Sequence, residues 1–121
     1  HAGWARGLTD QDPSTALEAI AVIGEAWRTG ADHHPIFSTI GHQRGGWSRI
    51  GGILWSDLQE PKVKAFSQIF GHTPHKGPTL HARNDGTYEA CIDVGGKQGQ
   101  RICAAWLEEG ELPMFVEYGR G

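Results

Sequence analysis

The sequence predicts a domain of the α+β class. Three observations point there: a helical apolar stripe near the start, a long glycine-rich stretch after it, and alternating apolar runs around a glycine turn in the last third. The order of helix, loop, strand, helix, strand and hairpin suits a mixed domain rather than a bundle.

The first element is a helix over residues 13–28. Asp12 is a suitable N-cap, and Pro13 fits the first helical position, where its missing N–H costs nothing. Leu17, Ile20, Ile23 and Trp27 recur at spacings of three and four and predict one buried stripe. Gly30 is placed to end the helix in a left-handed conformation. Residues 31–52 hold Gly41, Gly45, Gly46, Gly51 and Gly52 with little periodicity. A loop this long in a small domain is expected to serve a site or to lie over another part of the protein. Ile53, Leu54 and Trp55 then predict a short buried strand or strand end, with Trp55 in the core. Residues 60–68 read as a short helix with Pro61 in its first turn, and residues 67–70 as a strand entering Gly71-His72-Thr73-Pro74.

The last third predicts an antiparallel hairpin of residues 88–94 and 100–107 around Gly95-Gly96-Lys97-Gln98-Gly99. With Val94 opposite Gln100, the apolar face takes Ile92 with Ile102, Ala90 with Ala104 and Tyr88 with Trp106. The other face sets Asp93 against Arg101 and Cys91 against Cys103. That register predicts a cysteine pair close enough to bridge in an oxidising setting and reduced in cytosol. A final strand over residues 112–118 continues the meander.

Composition bounds the function. The 121 residues suit one domain, which buries roughly two-thirds of its unfolded surface. A hydrophobic share of 38% with 18 glycines, about twice the usual frequency, predicts a modest core with many loops. A net charge of −3 argues against non-specific binding to nucleic acid or to an anionic membrane. The most apolar stretch, residues 16–26, is short and carries Glu18, Gly24 and Glu25, so no membrane span is expected and the protein is expected in the cytoplasm. The chain opens on His1 without Met or a signal-like segment, which suggests that something upstream was removed or left out. Two cysteines are too few for a disulfide framework, and no CxxC or HxxxH spacing marks a zinc site.

The strongest local signal for chemistry is Ile69-Phe70-Gly71-His72-Thr73-Pro74. A strand delivers a histidine to the sheet edge, glycine lets the backbone turn before it, and proline stiffens the exit. Ligands held on short rigid segments suit a metal. A Gly-His pair alone more often marks a surface turn. Arg44, in the glycine-rich loop, can offer its two-pronged guanidinium to a substrate phosphate, or simply form a surface ion pair. His42 and Trp47 flank it as candidates to wall a substrate cleft, whereas His33, His34, His75 and His81 read as solvated loop residues.

Four segments together resemble the closing half of the calcineurin-like metallophosphoesterases. Gly71-His72-Thr73-Pro74, followed by Ile92-Asp93-Val94-Gly95 and Ala104-Ala105-Trp106-Leu107, is similar to that family's Gly-His-Thr-Pro, Ile-Asp-Thr-Gly and closing strand. His1-Ala2-Gly3 resembles its His-Ala-Gly motif. Leu54-Trp55-Ser56-Asp57 and Arg44-Gly45-Gly46 are similar to stretches of its Ser/Thr protein phosphatase branch, which also includes diadenosine tetraphosphatase-like enzymes. The resemblance implies half of a two-sheet sandwich flanked by helices, with residues 1–121 as the C-terminal portion of one domain. It implies that His1 and His72 are ligands of one metal in a two-metal centre of manganese, iron or zinc, with Asp93 orienting a ligand histidine. The implied substrate is a phosphoester: a phosphoprotein or a dinucleoside polyphosphate.

The family's Asp-x-His, Gly-Asp-x-x-Asp-Arg-Gly and Gly-Asn-His-Glu motifs are not in this sequence. They carry the other ligands, the bridging carboxylate and the general acid. The chain alone is therefore expected to bind metal weakly and to be inactive, pairing with a first half that brings the rest. The alternative is a non-catalytic interaction module, which predicts exposed apolar faces. An opening histidine also resembles copper monooxygenases, which brace copper with His1 and a second histidine, here His72 or His81. The early helix and the lack of a β-sandwich pattern argue against that reading.

Overall fold

A computed structural model describes residues 1–4, 13–30, 35–96, 99 and 101–119. Asp12, His33, His34, Lys97, Gln98 and Gln100, and with them the expected N-cap and part of the expected hairpin turn, lie outside the described residues. Helix α1 spans Pro13–Arg28, as the periodicity predicts. A short helix α2 spans Pro35–Ser38, and a 3-10 turn covers His42–Arg44. Among the described residues five strands follow: β1 Gln68–Phe70, β2 Thr79–Ala82, β3 Tyr88–Cys91, β4 Arg101–Trp106 and β5 Met114–Gly119. The fold is thus mixed α and β, with a three-stranded sheet ordered β1-β3-β2 and a separate β4–β5 ribbon.

The helix ends where the sequence places its stop. Gly30 takes φ +93° and its N–H closes on the Trp27 carbonyl at 2.9 Å. The expected stripe is only partly used. Ile23 packs against the core of Trp4, Phe37 and Val63, and Trp27 meets Phe37 edge-on at 4.4 Å, but Ile20 is 43% exposed.

The N-terminal segment is the thread on which the sheet edge is assembled. Ala2 N–H donates to the Ile53 carbonyl at 2.8 Å, Gly71 N–H to the His1 carbonyl at 2.8 Å, and Val63 N–H to the Trp4 carbonyl at 2.9 Å. Buried Gln68 completes the seam, accepting from Trp4 N–H at 2.6 Å and donating to the Trp4 and Val63 carbonyls at 3.2 and 3.0 Å. A side-chain amide here does what a neighbouring strand does elsewhere, and it satisfies backbone groups that burial would otherwise penalise.

This seam explains two departures from the sequence reading. Residues 60–68 form no helix, because neighbouring Lys62 and Val63 are both buried and the segment is drawn out along Trp4. Ile53, Leu54 and Trp55 form no strand but a turn, closed by Trp55 and Ser56 N–H donating to the Gly52 carbonyl at 3.1 and 3.0 Å. Backbone packs so closely here that a Cβ on Gly51 would collide with the Trp55 carbonyl. The glycine-rich stretch is therefore a tight knot, tied by the buried Glu60 carboxylate accepting from Gly51 N–H at 2.8 Å.

The expected hairpin is replaced. Strand β3 pairs in parallel with β1, setting Ile69 against Ala90, and antiparallel with β2, setting Leu80 against Ala90. Strand β4 pairs instead with β5: Ile102 faces Tyr118, Ala104 faces Val116 and Trp106 faces Met114. Burial decides it. Ala90 and Cys91 are buried almost completely, a central-strand environment that one hairpin partner could not give. The overlooked β2 is joined to β3 by Arg83-Asn84-Asp85-Gly86-Thr87, a turn carrying Asp-Gly with Gly86 at φ +84°. The proposed cysteine pair fails with the register. Cys91 lies opposite Phe70 and Thr79, Cys103 opposite Glu117, and both thiols are free. Arg101 pairs with Glu117 at 3.0 Å rather than with Asp93.

Among the described residues, β4 and β5 touch each other and no other helix or strand. One face of the ribbon, with Ile102, Trp106, Met114, Val116 and Tyr118, is exposed throughout. No described helix is long and apolar enough to cross a membrane.

Candidate metal-ligand site

The two histidines singled out in the sequence meet in space. His1 sits at the open end of the N-terminal thread, and His72 follows β1 after Gly71. Their rings lie 4.5 Å apart at 61°. The bond from Gly71 N–H to the His1 carbonyl ties the two segments directly.

Each imidazole is prepared differently. His1 Nδ1 lies 3.2 Å from the Leu54 carbonyl. A carbonyl can only accept, so Nδ1 carries the proton and the Nε2 lone pair is left free. A backbone carbonyl holding the second nitrogen is the usual support of a metal-binding histidine. The same bond occupies the nitrogen that a copper brace at His1 would use. His72 Nε2 is buried with no hydrogen-bond partner, which is costly for a polar atom and leaves it available to a ligand.

His72 also carries the strain of the turn. Its φ is +78°, in the left-handed region that side chains other than glycine seldom enter. Gly71, which the sequence reading credits with the turn, has ordinary room for a Cβ, 3.6 Å from Asp93 Cβ. Trp55, expected in the core, is 41% exposed and packs edge-on to His72 at 5.6 Å.

Burial, before any neighbouring charge, favours the neutral form of His72. Burial lowers its pKa below the ordinary 6.5, and the Arg44 guanidinium adds to that, against a smaller opposing pull from Asp93 and Asp57. Neutral imidazole is the metal-binding form. Asp93 lies beside Gly71, but its Oδ1 accepts from Gly95 N–H at 3.0 Å and its carbonyl from His75 N–H at 2.9 Å. It faces the site as a charge and does not bond the ring.

Arg44 does not form an exposed surface pair, and its contacts all run through one guanidinium nitrogen, Nη2, while its buried Nε has no hydrogen-bond partner. It bridges to Asp57 at 3.1 Å, donates to the His72 carbonyl at 2.9 Å, and also donates to the Thr73 hydroxyl. His42 and Trp47 point elsewhere and line an open cleft of about 470 Å³ with Gln43, Arg49, Gln59 and Pro61. Trp47 is fully exposed. His81 lies on β2, with Glu89 opposite it across the sheet, away from the pair.

The sequence reading missed the groups that hold the pair: Ser56, Asp57, Lys62 and Thr73. Their signal was present in the quoted Trp-Ser-Asp and Gly-His-Thr-Pro stretches, but nothing in a motif says which carbonyl a side chain will hold. The residues fit a metal in part. Two imidazoles converge with an orphaned nitrogen, yet among the described residues no group of three or more His, Cys, Asp or Glu gathers in metal-binding range.

Compared with known proteins, the chain matches no family model, no curated protein and no solved structure.

Proposed function

We propose that this chain supplies the histidine half of a metal-dependent phosphoester hydrolase, with His1 and His72 as ligands of one of two divalent cations. The single observation that carries the reading is the convergence of the two imidazoles, with His72 Nε2 buried and unpartnered. The motif resemblance adds the reaction class, the Ser/Thr phosphatase-like chemistry, and the half-sandwich arrangement of the sheets. Paired divalent cations supply such a reaction with an activated water and a clamp on the phosphoryl oxygens. Manganese, iron and zinc all suit a mixed imidazole–carboxylate set.

In this reading His1 and His72 hold their cation through Nε2. Trp55 walls off one side of the His72 ring, and Asp93 adds negative charge beside it. Arg44 keeps part of its fork committed to His72 and Thr73. The remaining carboxylate ligands come from polypeptide outside these residues, and two imidazoles alone make a weak, open site. Phosphoprotein and dinucleoside polyphosphate are both substrates that such a centre serves.

A second reading, an interaction module without turnover, is favoured by the exposed apolar face of the β4–β5 ribbon. One experiment separates them. Co²⁺ and Mn²⁺ are titrated into the chain and into its His1→Ala and His72→Ala variants, with p-nitrophenyl phosphate turnover and intact mass recorded on the same samples. The hydrolase reading expects binding that both substitutions abolish, and turnover only where additional polypeptide is present. Equal binding by all three proteins would sink it.

A further inference from the structure

The step between residues 56 and 58 is bonded to both histidine segments at once. The Ser56 hydroxyl donates to the Ala2 carbonyl at 2.8 Å, fixing the thread that carries His1. The Asp57 carboxylate holds Arg44 at 3.1 Å, and Arg44 holds the His72 carbonyl at 2.9 Å. Leu58 N–H donates to the Thr73 hydroxyl at 3.2 Å.

Beneath this step lies Lys62, 2% exposed and among the most enclosed side chains of the protein. Its Nζ donates to the Asp57 carbonyl at 2.6 Å and to the Ser56 hydroxyl at 3.2 Å, with the Phe70 ring at 5.1 Å. A buried amine is costly unless fully bonded, and a surface lysine would do nothing comparable for the core. The Ser56 hydroxyl accepts from Lys62 while donating to Ala2, so the bonds form a continuous path. It runs from Ala2 through Ser56 and Lys62 to Asp57, and on through Arg44 to His72. The path joins the two histidine segments through the interior, whereas the Gly71–His1 bond joins them at the surface.

We infer that Lys62 and Asp57 are positioning residues that set the relative placement of the His1 and His72 imidazoles. The inference rests on the proposed metal reading for its purpose, but its geometry does not. Groups that orient ligands without touching metal typically alter affinity by 10–100-fold. Lys62→Met keeps the bulk and removes the donors. Asp57→Asn keeps the shape and weakens the hold on Arg44.

The test uses both variants beside Arg101→Gln, which breaks the Arg101–Glu117 ion pair (3.0 Å) on the β4–β5 ribbon and controls for loss of stability alone. Two signals are read. In metal-free protein, the imidazole Hε1 resonances of His1 and His72 should both move in Lys62→Met and in Asp57→Asn. Ring currents from Trp55 and the facing imidazole fall off steeply with distance. With Co²⁺, dissociation constants should rise at least tenfold in both variants, the visible band changing shape, and stay within about twofold in Arg101→Gln.

Unmoved imidazole resonances in folded Lys62→Met and Asp57→Asn would overturn the inference whatever the metal does. Should one variant not fold, the other decides. If wild type binds Co²⁺ no better than His72→Ala, the metal reading falls, and the resonances alone judge the positioning role.

Discussion

Replacing His72 by glycine is expected to give a more stable protein than replacing it by alanine. The backbone at this position has φ +78°. A left-handed residue with a Cβ carries a cost of roughly 1–2 kcal/mol, which glycine escapes. Glycine loses about 0.5–1 kcal/mol of that advantage through the extra freedom of its unfolded chain. Both substitutions delete the ring contacts with His1 and Trp55, so those contributions cancel in the comparison. At the centre of these ranges the glycine variant should therefore exceed the alanine variant by about 0.75 kcal/mol, or about 3 °C in Tm for a chain of this size. Wild type should lie close to the glycine variant, since edge-on ring pairs contribute about 0.5–1.5 kcal/mol and offset the strain. Urea unfolding in EDTA, followed by tryptophan fluorescence, gives all three values. An alanine variant as stable as the glycine variant would refute the left-handed assignment, and with it the idea that the turn stores strain at the ligand.

Gly71→Ala should cost less than about 1 kcal/mol because a Cβ there meets only ordinary contacts, whereas Gly51→Ala should cost about 1–3 kcal/mol or more by driving into the Trp55 carbonyl; equal denaturation midpoints would contradict the difference. Since the folded state disfavours the protonated His72, the unfolded chain takes up that proton first as pH falls. Stability of wild type relative to His72→Gln should thus be fully present above pH 6.5 and decline as pH drops below it; a difference that is flat or grows in acid would be inconsistent with a neutral imidazole. With a colorimetric thiol reagent, half-buried Cys103 should react well before Cys91, which is 1% exposed, donates to the Thr73 carbonyl at 3.6 Å, and has its pKa raised chiefly by burial. Simultaneous reaction would mean that β3 is not central.

The parts of the fold legible in the sequence are those with strong local signals. Helix α1 has its stripe, its proline and its terminal glycine, and it forms where they say. Strands β1 and β5 lie close to where apolar alternation puts them. Pairing was not legible, because β2, β4 and β5 are all short, amphipathic candidates for β3, and the choice among them is made by tertiary burial. The Asp85-Gly86 turn did carry the right answer, and the longer glycine loop at residues 95–99 masked it. The approach of His1 to His72 came from motif likeness rather than periodicity, since no local pattern relates residues so far apart. The Lys62 network was invisible for a physical reason: its acceptors include main-chain carbonyls, which every residue type possesses.

The isolation of the β4–β5 ribbon has a consequence for how the molecule opens. A two-stranded ribbon has little to hold it beyond its own ladder, and β4 and β5 contact no other described helix or strand. Its amides should therefore exchange with deuterium through a local opening of low free energy, while those of β3, hydrogen-bonded on both edges, wait for global unfolding. In a limited digest the first cuts should fall in the exposed acidic turn at Glu108, Glu109 and Glu111, leaving the histidine pair and its sheet as the protected fragment.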